Sequence, residues 1–199
     1  MADLSLQWAV ARFVTPGNRD SGDLEIVQPY DGGIVIGVVD GIGHGSDAAA
    51  AAAAARDAIA QQPQDSPIAL AVRCHEALRL TRGVVLSIAS IDLRHASLRW
   101  LGIGNVSAVV QRGDSAVLPS REQLLLRAGV IGAGELPTLQ TSVIPLRALD
   151  TLIFATDGIR PQFADGMVMT GPLQSMADGI LAKYCQGNDD ALVLVARAS

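Results

Sequence analysis

The fold class predicted for these 199 residues is α+β, a layered sandwich, and three observations predict it. Apolar, β-branched runs fall in two groups separated by two helical segments, not in strict strand–helix alternation. That order argues against a parallel α/β sheet. Short turns rich in Gly, Asp, Asn and Pro join the runs, as antiparallel neighbours require. Finally, no linker, repeat or low-complexity stretch interrupts the chain, so residues 1–199 are expected to form a single domain.

The elements follow in order. Residues 7–14 alternate partly through Trp8, Val10 and Phe13 and read as a first strand, broken by Thr15-Pro16-Gly17-Asn18. The polar loop 19–23 leads into a short strand over 24–27. Pro29 to Gly33 turns the chain into an apolar strand over 34–39. The two strands are expected to form a hairpin that puts Asp23 beside Asp40. A helix is predicted from Asp47 to Gln61, built on the alanine run 48–55 and capped by Ser46 or Asp47. A second helix is predicted over 68–81, with Pro67 at its start. Strands follow over 84–91, 98–103 and 107–111, with turns at 92–96 and at Arg112-Gly113-Asp114-Ser115. Ser120 with Gln123 suggests one capped helical turn, and Gly129 to Gly132 a strand or buried turn. A strand over 151–155, a helix from Gly171-Pro172 to Tyr184 and a strand over 191–196 complete the chain.

Composition excludes several function classes. A net charge of −5 argues against nucleic acid or an anionic membrane as partner. Lys183 is the only lysine, and without a Gly-Lys-Ser/Thr sequence there is no Walker-type nucleotide site. Cys74 and Cys185 are far apart and lack zinc-ligand spacing, so two reduced thiols are expected. Residues 1–7 do not resemble a signal peptide, and the alanine run is too short and too weakly apolar to span a bilayer. A cytoplasmic location is the resulting expectation.

The most informative stretch is Val38-Val39-Asp40-Gly41-Ile42-Gly43-His44-Gly45, a strand ending on a carboxylate, followed by a glycine-dense loop and a helix start. Such a junction suits either a phosphate cradle or a site for a hard cation. Asp23, Asp157, Asp189 and Asp190 share its context: polar loops at strand ends. Brought together, these carboxylates would repel one another unless cations neutralised them. Oxygen-only ligands point to magnesium or manganese rather than zinc. Two such ions can clamp a phosphoryl group and activate water.

Ser21-Gly22-Asp23, Val39-Asp40-Gly41-Ile42-Gly43-His44-Gly45, Gly102-Ile103-Gly104-Asn105, Ala155-Thr156-Asp157-Gly158-Ile159 and Asn188-Asp189-Asp190-Ala191 occur in an order that resembles the metal-dependent serine/threonine phosphatases of the 2C type, in their bacterial SpoIIE-type branch. The resemblance covers nearly the whole chain. It implies a four-layer α/β/β/α sandwich around a central antiparallel β-sandwich, with two Mn2+ or Mg2+ ions at one end. It implies that Asp40 bridges both ions, with the Gly41 carbonyl as a further ligand, and that Asp157 and Asp189 hold one ion. Asp23 would bind directly or through water, and Asp190 would sit behind the ligands. A water bridging the ions would attack a phosphoserine or phosphothreonine. The chain's small size and its lack of a sensor or coiled-coil segment look like the stand-alone phosphatases of stressosome signalling. That likeness implies phosphorylated STAS-domain proteins as partners, either a stressosome scaffold or an anti-anti-sigma factor.

Two positions depart from the larger 2C-type enzymes. Their Asp-Gly-His has Ile42 in place of His, leaving His44 as the candidate proton donor. Their phosphate-gripping arginine has no clear match, and Arg19 is the candidate by nearness to Asp23. Two rival readings are a non-catalytic pseudophosphatase that only binds partners and a GHKL-type ATP-binding protein. The GHKL type requires a helix before its Asp-x-Gly-x-Gly box.

Overall fold

In chain order, the strands are β1 (Leu6–Phe13), β2 (Asp23–Tyr30), β3 (Gly33–Gly41), β4 (Val84–Asp92), β5 (Ser97–Ile103), β6 (Ser107–Gln111), β7 (Arg121–Gln123), β8 (Leu126–Arg127), β9 (Ser142–Pro145), β10 (Thr151–Ala155) and β11 (Ala191–Ala198). The helices are α1 (Ser46–Ala60), α2 (Pro67–Ala77) and α3 (Leu173–Tyr184), with a 3-10 turn at Pro161–Ala164. The structure is a computed structural model that describes residues 4–165 and 171–199.

Strand β3 shows how the layers arise. Ile34, Ile36 and Val38 bury on one face with Leu152, Phe154, Leu192 and Leu194. Val35 and Val39 bury on the other face with Ala51, Ala55, Ile59, Leu70 and Cys74 of α1 and α2. Successive side chains of a strand point to opposite faces, so a strand buried on both faces must lie between two layers. The same holds for β11, whose Val193 and Val195 pack with Met176, Ala177 and Ile180 of α3. The result is α1 and α2, a six-stranded sheet, a five-stranded sheet, then α3. This is the expected four-layer α/β/β/α sandwich. Each fully buried Val, Leu or Ile contributes roughly 1.5–3 kcal/mol to holding these layers together.

The first sheet runs β1-β11-β10-β6-β7 and the second β2-β3-β4-β5-β8, with β9 also pairing β5. Strand pairs are antiparallel except β5 with β8. β8 and β9 share one edge of β5: β9 takes Ser97 to Trp100, and β8 takes Gly102 and Ile103.

Several elements differ from expectation. β2 continues through Pro29 to Tyr30, so the turn is confined to Asp31-Gly32. Helix α1 begins at Ser46 with Gly45 as its N-cap, and no side chain caps it. Neither Ser46 nor Asp47 is therefore the cap. Helix α2 stops at Ala77, where Thr81 Oγ1 turns back to the Leu78 carbonyl and closes the chain locally. Arg121–Gln123 forms strand β7, not a helical turn, because pairing with Val109 to Gln111 outweighs the local capping signal. Ile131 bridges Val84, so the segment Gly129 to Gly132 is tied to the second sheet, with Ile131 and Gly132 buried and Gly129 exposed. Residues 1–3, part of the opening read as lacking a leader, lie outside the described residues. Among the described residues, no helix is long and apolar enough to cross a membrane.

Cys74 is fully buried under α1, and burial pushes its thiol up to about 12. Cys185 is half-buried. Titration of the native protein with a disulfide reagent at pH 8 is expected to modify Cys185 alone. Cys74 should react only after denaturant is added, because the thiolate is the reactive form.

Candidate active site

The inward-facing rows of both sheets end in polar side chains at one edge. Asp40 continues the Ile34, Ile36, Val38 row, and the β2–β3 register pairs it with Asp23. Thr156 continues Leu152 and Phe154, and Asp190 continues the Leu192, Leu194 row. The period of two thus carries the hydrophobic core between the sheets directly into a carboxylate cluster. Asp23, Asp40, Asp157, Asp189 and Asp190 line one cavity of about 290 Å³, together with Gly22, Ile42, Gly43, His44, Val85 and Asn105. No lysine or arginine lines it.

Close backbone approaches hold the strand ends together. A Cβ at Gly158 would collide with the Asp190 carbonyl, and one at Gly41 with the Ala48 carbonyl. The Gly41 amide donates to the Gly22 carbonyl at 3.0 Å, fastening the loop of Asp23 to that of Asp40. Thr156 Oγ1 donates to Asp23 Oδ2 at 2.7 Å and accepts from the Leu192 amide at 2.9 Å. Asn105 Nδ2 donates to Asp157 Oδ2 at 2.6 Å. Asp190 Oδ1 accepts from the Thr15 amide at 2.8 Å, and its Oδ2 from the Gly22 amide at 3.0 Å.

These environments divide the carboxyls. Burial pushes Asp40 up to about 8, with the charges of Asp23, Asp157, Asp189 and Asp190 adding to it. Burial pushes Asp23 up to about 7, opposed by the Thr156 hydrogen bond and reinforced by Asp190, Asp157 and Asp189. Asp157 is also raised, by burial and by Asp189. Asp190 goes the other way. Burial raises it, but hydrogen bonds from Thr15, Gly22 and Ser21 together outweigh that and hold it below the ordinary carboxylate value. Asp190 is therefore a charged strut, while Asp23 and Asp40 are carboxyls short of a countercharge.

The donor chemistry of the cavity, carboxylates with no cysteine, fits a hard divalent cation. Among the described residues, however, no group of three or more His, Cys, Asp or Glu closes into a metal-holding set. Thr156 and Asn105 engage one oxygen each of Asp23 and Asp157. Gly41 itself is not among the lining residues. His44 lines the cavity and is exposed, whereas Arg19 is exposed and does not line it. A strand, not a helix, precedes Asp40, so the helix that a GHKL-type site needs is missing.

The profile of the Stage II sporulation protein E (SpoIIE) family matches residues 30–199. The chain belongs to the SpoIIE family of 2C-type phosphatases. Among curated proteins it is similar to the phosphoserine phosphatase RsbX of Bacillus subtilis (strain 168), at 26% identity over 105 residues. That match spans 53% of this chain and 53% of the relative, about half the length of each. Among solved structures, it superposes with a TM-score of 0.85 on a chain from work on the bacterial stressosome as a modular system adapted to control secondary messenger signaling, at 25% identity, covering 97% of this chain and 100% of that one. RsbX in complex with magnesium gives a TM-score of 0.84 at 20% identity, covering 98% and 96%. The phosphatase domain of SpoIIE from Bacillus subtilis, solved with a fragment of its regulatory domain, gives 0.79 at 19% identity, covering 99% of this chain and 64% of that one.

Three residues at the site had no role assigned from sequence. Asn105 and Thr156 stand inside motifs that were singled out, and their position one residue from Gly104 and Asp157 was the available signal. Thr15 read only as a strand breaker, yet its amide holds Asp190.

In the presence of a chelator, Asp23 and Asp40 bind protons more tightly folded than unfolded. Stability is therefore greatest below about pH 4 as far as these groups are concerned, and declines until pH has risen through about 7 to 8. Thermal melts in EDTA at pH 5 and 8.5 check this. Asp40→Asn should melt several degrees above wild type at pH 8.5, and the difference should shrink at pH 5. An equal gap at both pH values would contradict it.

Proposed function

We propose that the chain is a metal-dependent phosphoserine/phosphothreonine protein phosphatase, with residues 1–199 forming its single catalytic domain. The observation that supports this best is the convergence of Asp23, Asp40, Asp157, Asp189 and Asp190 on one cavity whose described lining holds no lysine or arginine. Asp23, Asp40, Asp157 and Asp189 are the side chains that would hold two divalent ions, with the Gly41 carbonyl as a further donor. RsbX was solved with magnesium, which supports Mg2+ or Mn2+ here. Bound there, such ions supply Lewis acidity toward phosphoryl oxygens and lower the pKa of coordinated water.

The protein's own residues prepare the site. Thr156 and Asn105 fix the rotamers of Asp23 and Asp157, and Asp190 locks the Thr15 and Gly22 backbone so that Asp23 cannot drift. In-line attack by water on phosphorus breaks the bond to the seryl or threonyl oxygen, which leaves with a proton. His44, on the cavity wall, is the side chain available to deliver it. Ile42, at the position of the larger enzymes' histidine, lines the wall with an apolar group and offers no proton.

The likeness to RsbX and to a stressosome chain supports phosphorylated STAS-domain proteins as substrates, either the stressosome scaffold or an anti-anti-sigma factor, in the cytoplasm.

Hydrolysis of p-nitrophenyl phosphate across a Mn2+ titration tests the activity. Turnover should depend on Mn2+ and fall by about 100-fold or more in Asp157→Asn, as expected when a preorganised electrostatic group is removed. Metal-induced thermal stabilisation without turnover on any phosphoprotein would instead mark a binding module. If contacts remote from the reacting phosphate supply specificity, kcat/KM on a phosphorylated STAS domain should exceed that on a free phosphopeptide by about 100-fold, the scale of gain that such contacts give.

A further inference from the structure

The described lining of the cavity holds no lysine or arginine, yet a phosphate dianion must approach five carboxyls. One arginine stands immediately behind that wall. The Arg82 guanidinium lies against Gly43, with Nη1 2.8 Å from where a Gly43 Cβ would be. Its backbone is fixed there. The Ile42 amide donates to the Gly83 carbonyl at 3.0 Å, which ties the Arg82 loop to the loop after Asp40. The Gly83 amide donates to Thr81 Oγ1 at 3.0 Å, and Val84 bridges Ile131. A Cβ at Gly83 would sit 2.5 Å from the Ile131 carbonyl, at a φ of +83°, so this anchor accepts only glycine. The side chain is more than half exposed and pairs with Asp47 at 3.3 Å, itself more than half exposed. Asp47 lies in the first turn of α1, which lacks a side-chain cap.

We propose that Arg82 is the phosphate-binding arginine of this site, held over Gly43 by Asp47 until substrate arrives. This rests on the hydrolase reading above and replaces Arg19 in the role expected for it. An exposed Arg–Asp pair is weak and screened by solvent, so it exchanges readily for another anion. A phosphoryl group offers the guanidinium a bidentate partner of higher charge than a carboxylate. Gly43 is what lets the guanidinium come this close to the wall: a Cβ at residue 43 would meet Arg82 Nη1 at 2.8 Å, and its φ of +102° also favours glycine.

The test compares wild type, Arg82→Ala, Arg82→Lys and Asp47→Asn, all loaded with Mn2+. It reads KM and kcat on p-nitrophenyl phosphate, the competitive Ki of inorganic phosphate, and the melting temperature with and without Mn2+. Arg82→Ala should raise KM and the phosphate Ki about tenfold, as loss of a charge-assisted bidentate contact does. Its kcat should stay within about twofold, since contacts equal in ground and transition states affect KM alone. Arg82→Lys should recover part of the loss, because a point charge replaces a fork. Asp47→Asn should tighten phosphate by about twofold, since a freed arginine no longer leaves a weak ion pair. The Mn2+-induced rise in melting temperature should match wild type in every variant. An unchanged phosphate Ki in Arg82→Ala overturns the proposal, and so does a loss that tracks a weakened Mn2+ response. If wild type itself does not turn over, the hydrolase reading fails, and the assignment is still decided by inorganic phosphate binding to the Mn2+-loaded proteins in a calorimeter. A tenfold weaker affinity in Arg82→Ala supports it, and equal affinity refutes it.

Discussion

Repulsion among like charges is the constraint that the rest of this structure must oppose. Asp23, Asp40, Asp157, Asp189 and Asp190 line one cavity of about 290 Å³ at the end of an apolar sandwich. Left to themselves, such groups would take up protons or spread apart. Two devices prevent the spreading. The sheets meet along rows of Ile, Val, Leu and Phe that cannot slip by one residue without exposing their core face. The strand ends beyond those rows are pinned where Gly158 meets Asp190 and Gly41 meets Ala48. The scaffold therefore supplies the free energy that keeps the carboxyls together, and a bound proton or cation would relieve them.

The same arrangement explains why the helices look so different from one another. Helix α1 lies on β3 close to the site, and its alanines let its backbone come near enough for the Ala48 carbonyl to touch Gly41. A larger residue at 48 would lift the helix and open the loop after Asp40. Helix α3 covers the other sheet through Met176, Ala177 and Ile180 and faces no such restriction. Small residues thus gather where the backbone must approach the site, and ordinary amphipathic packing suffices elsewhere.

Much of this was legible in the residues because the informative positions sit on long, regular strands. The Ile34-to-Val39 run and the short turn before it fix the β2–β3 register, and with it the Asp23–Asp40 pair. The strand over 151–155 and the one beginning at 191 place Asp157, Asp189 and Asp190 at chain positions that can only be loops. The region from 112 to 146 was not legible in the same way. β7, β8 and β9 are two to four residues long and owe their existence to neighbours already in place, not to their own pattern. Contacts that join distant segments by a single atom were equally hidden. Nothing local in Thr15 says that its amide will hold Asp190, and nothing in Arg82 says that it will lie against Gly43.

Thr156 carries one consequence for how Asp23 meets the cavity. Its hydroxyl has a single hydrogen, and the Leu192 amide already occupies an oxygen lone pair. The hydrogen is directed at Asp23 Oδ2, and in this arrangement a proton held by Asp23 rides on Oδ1. Asp23 is thus a carboxyl with one oxygen already oriented by the fold and the other turned free of that bond, so the two oxygens meet the cavity on unequal terms.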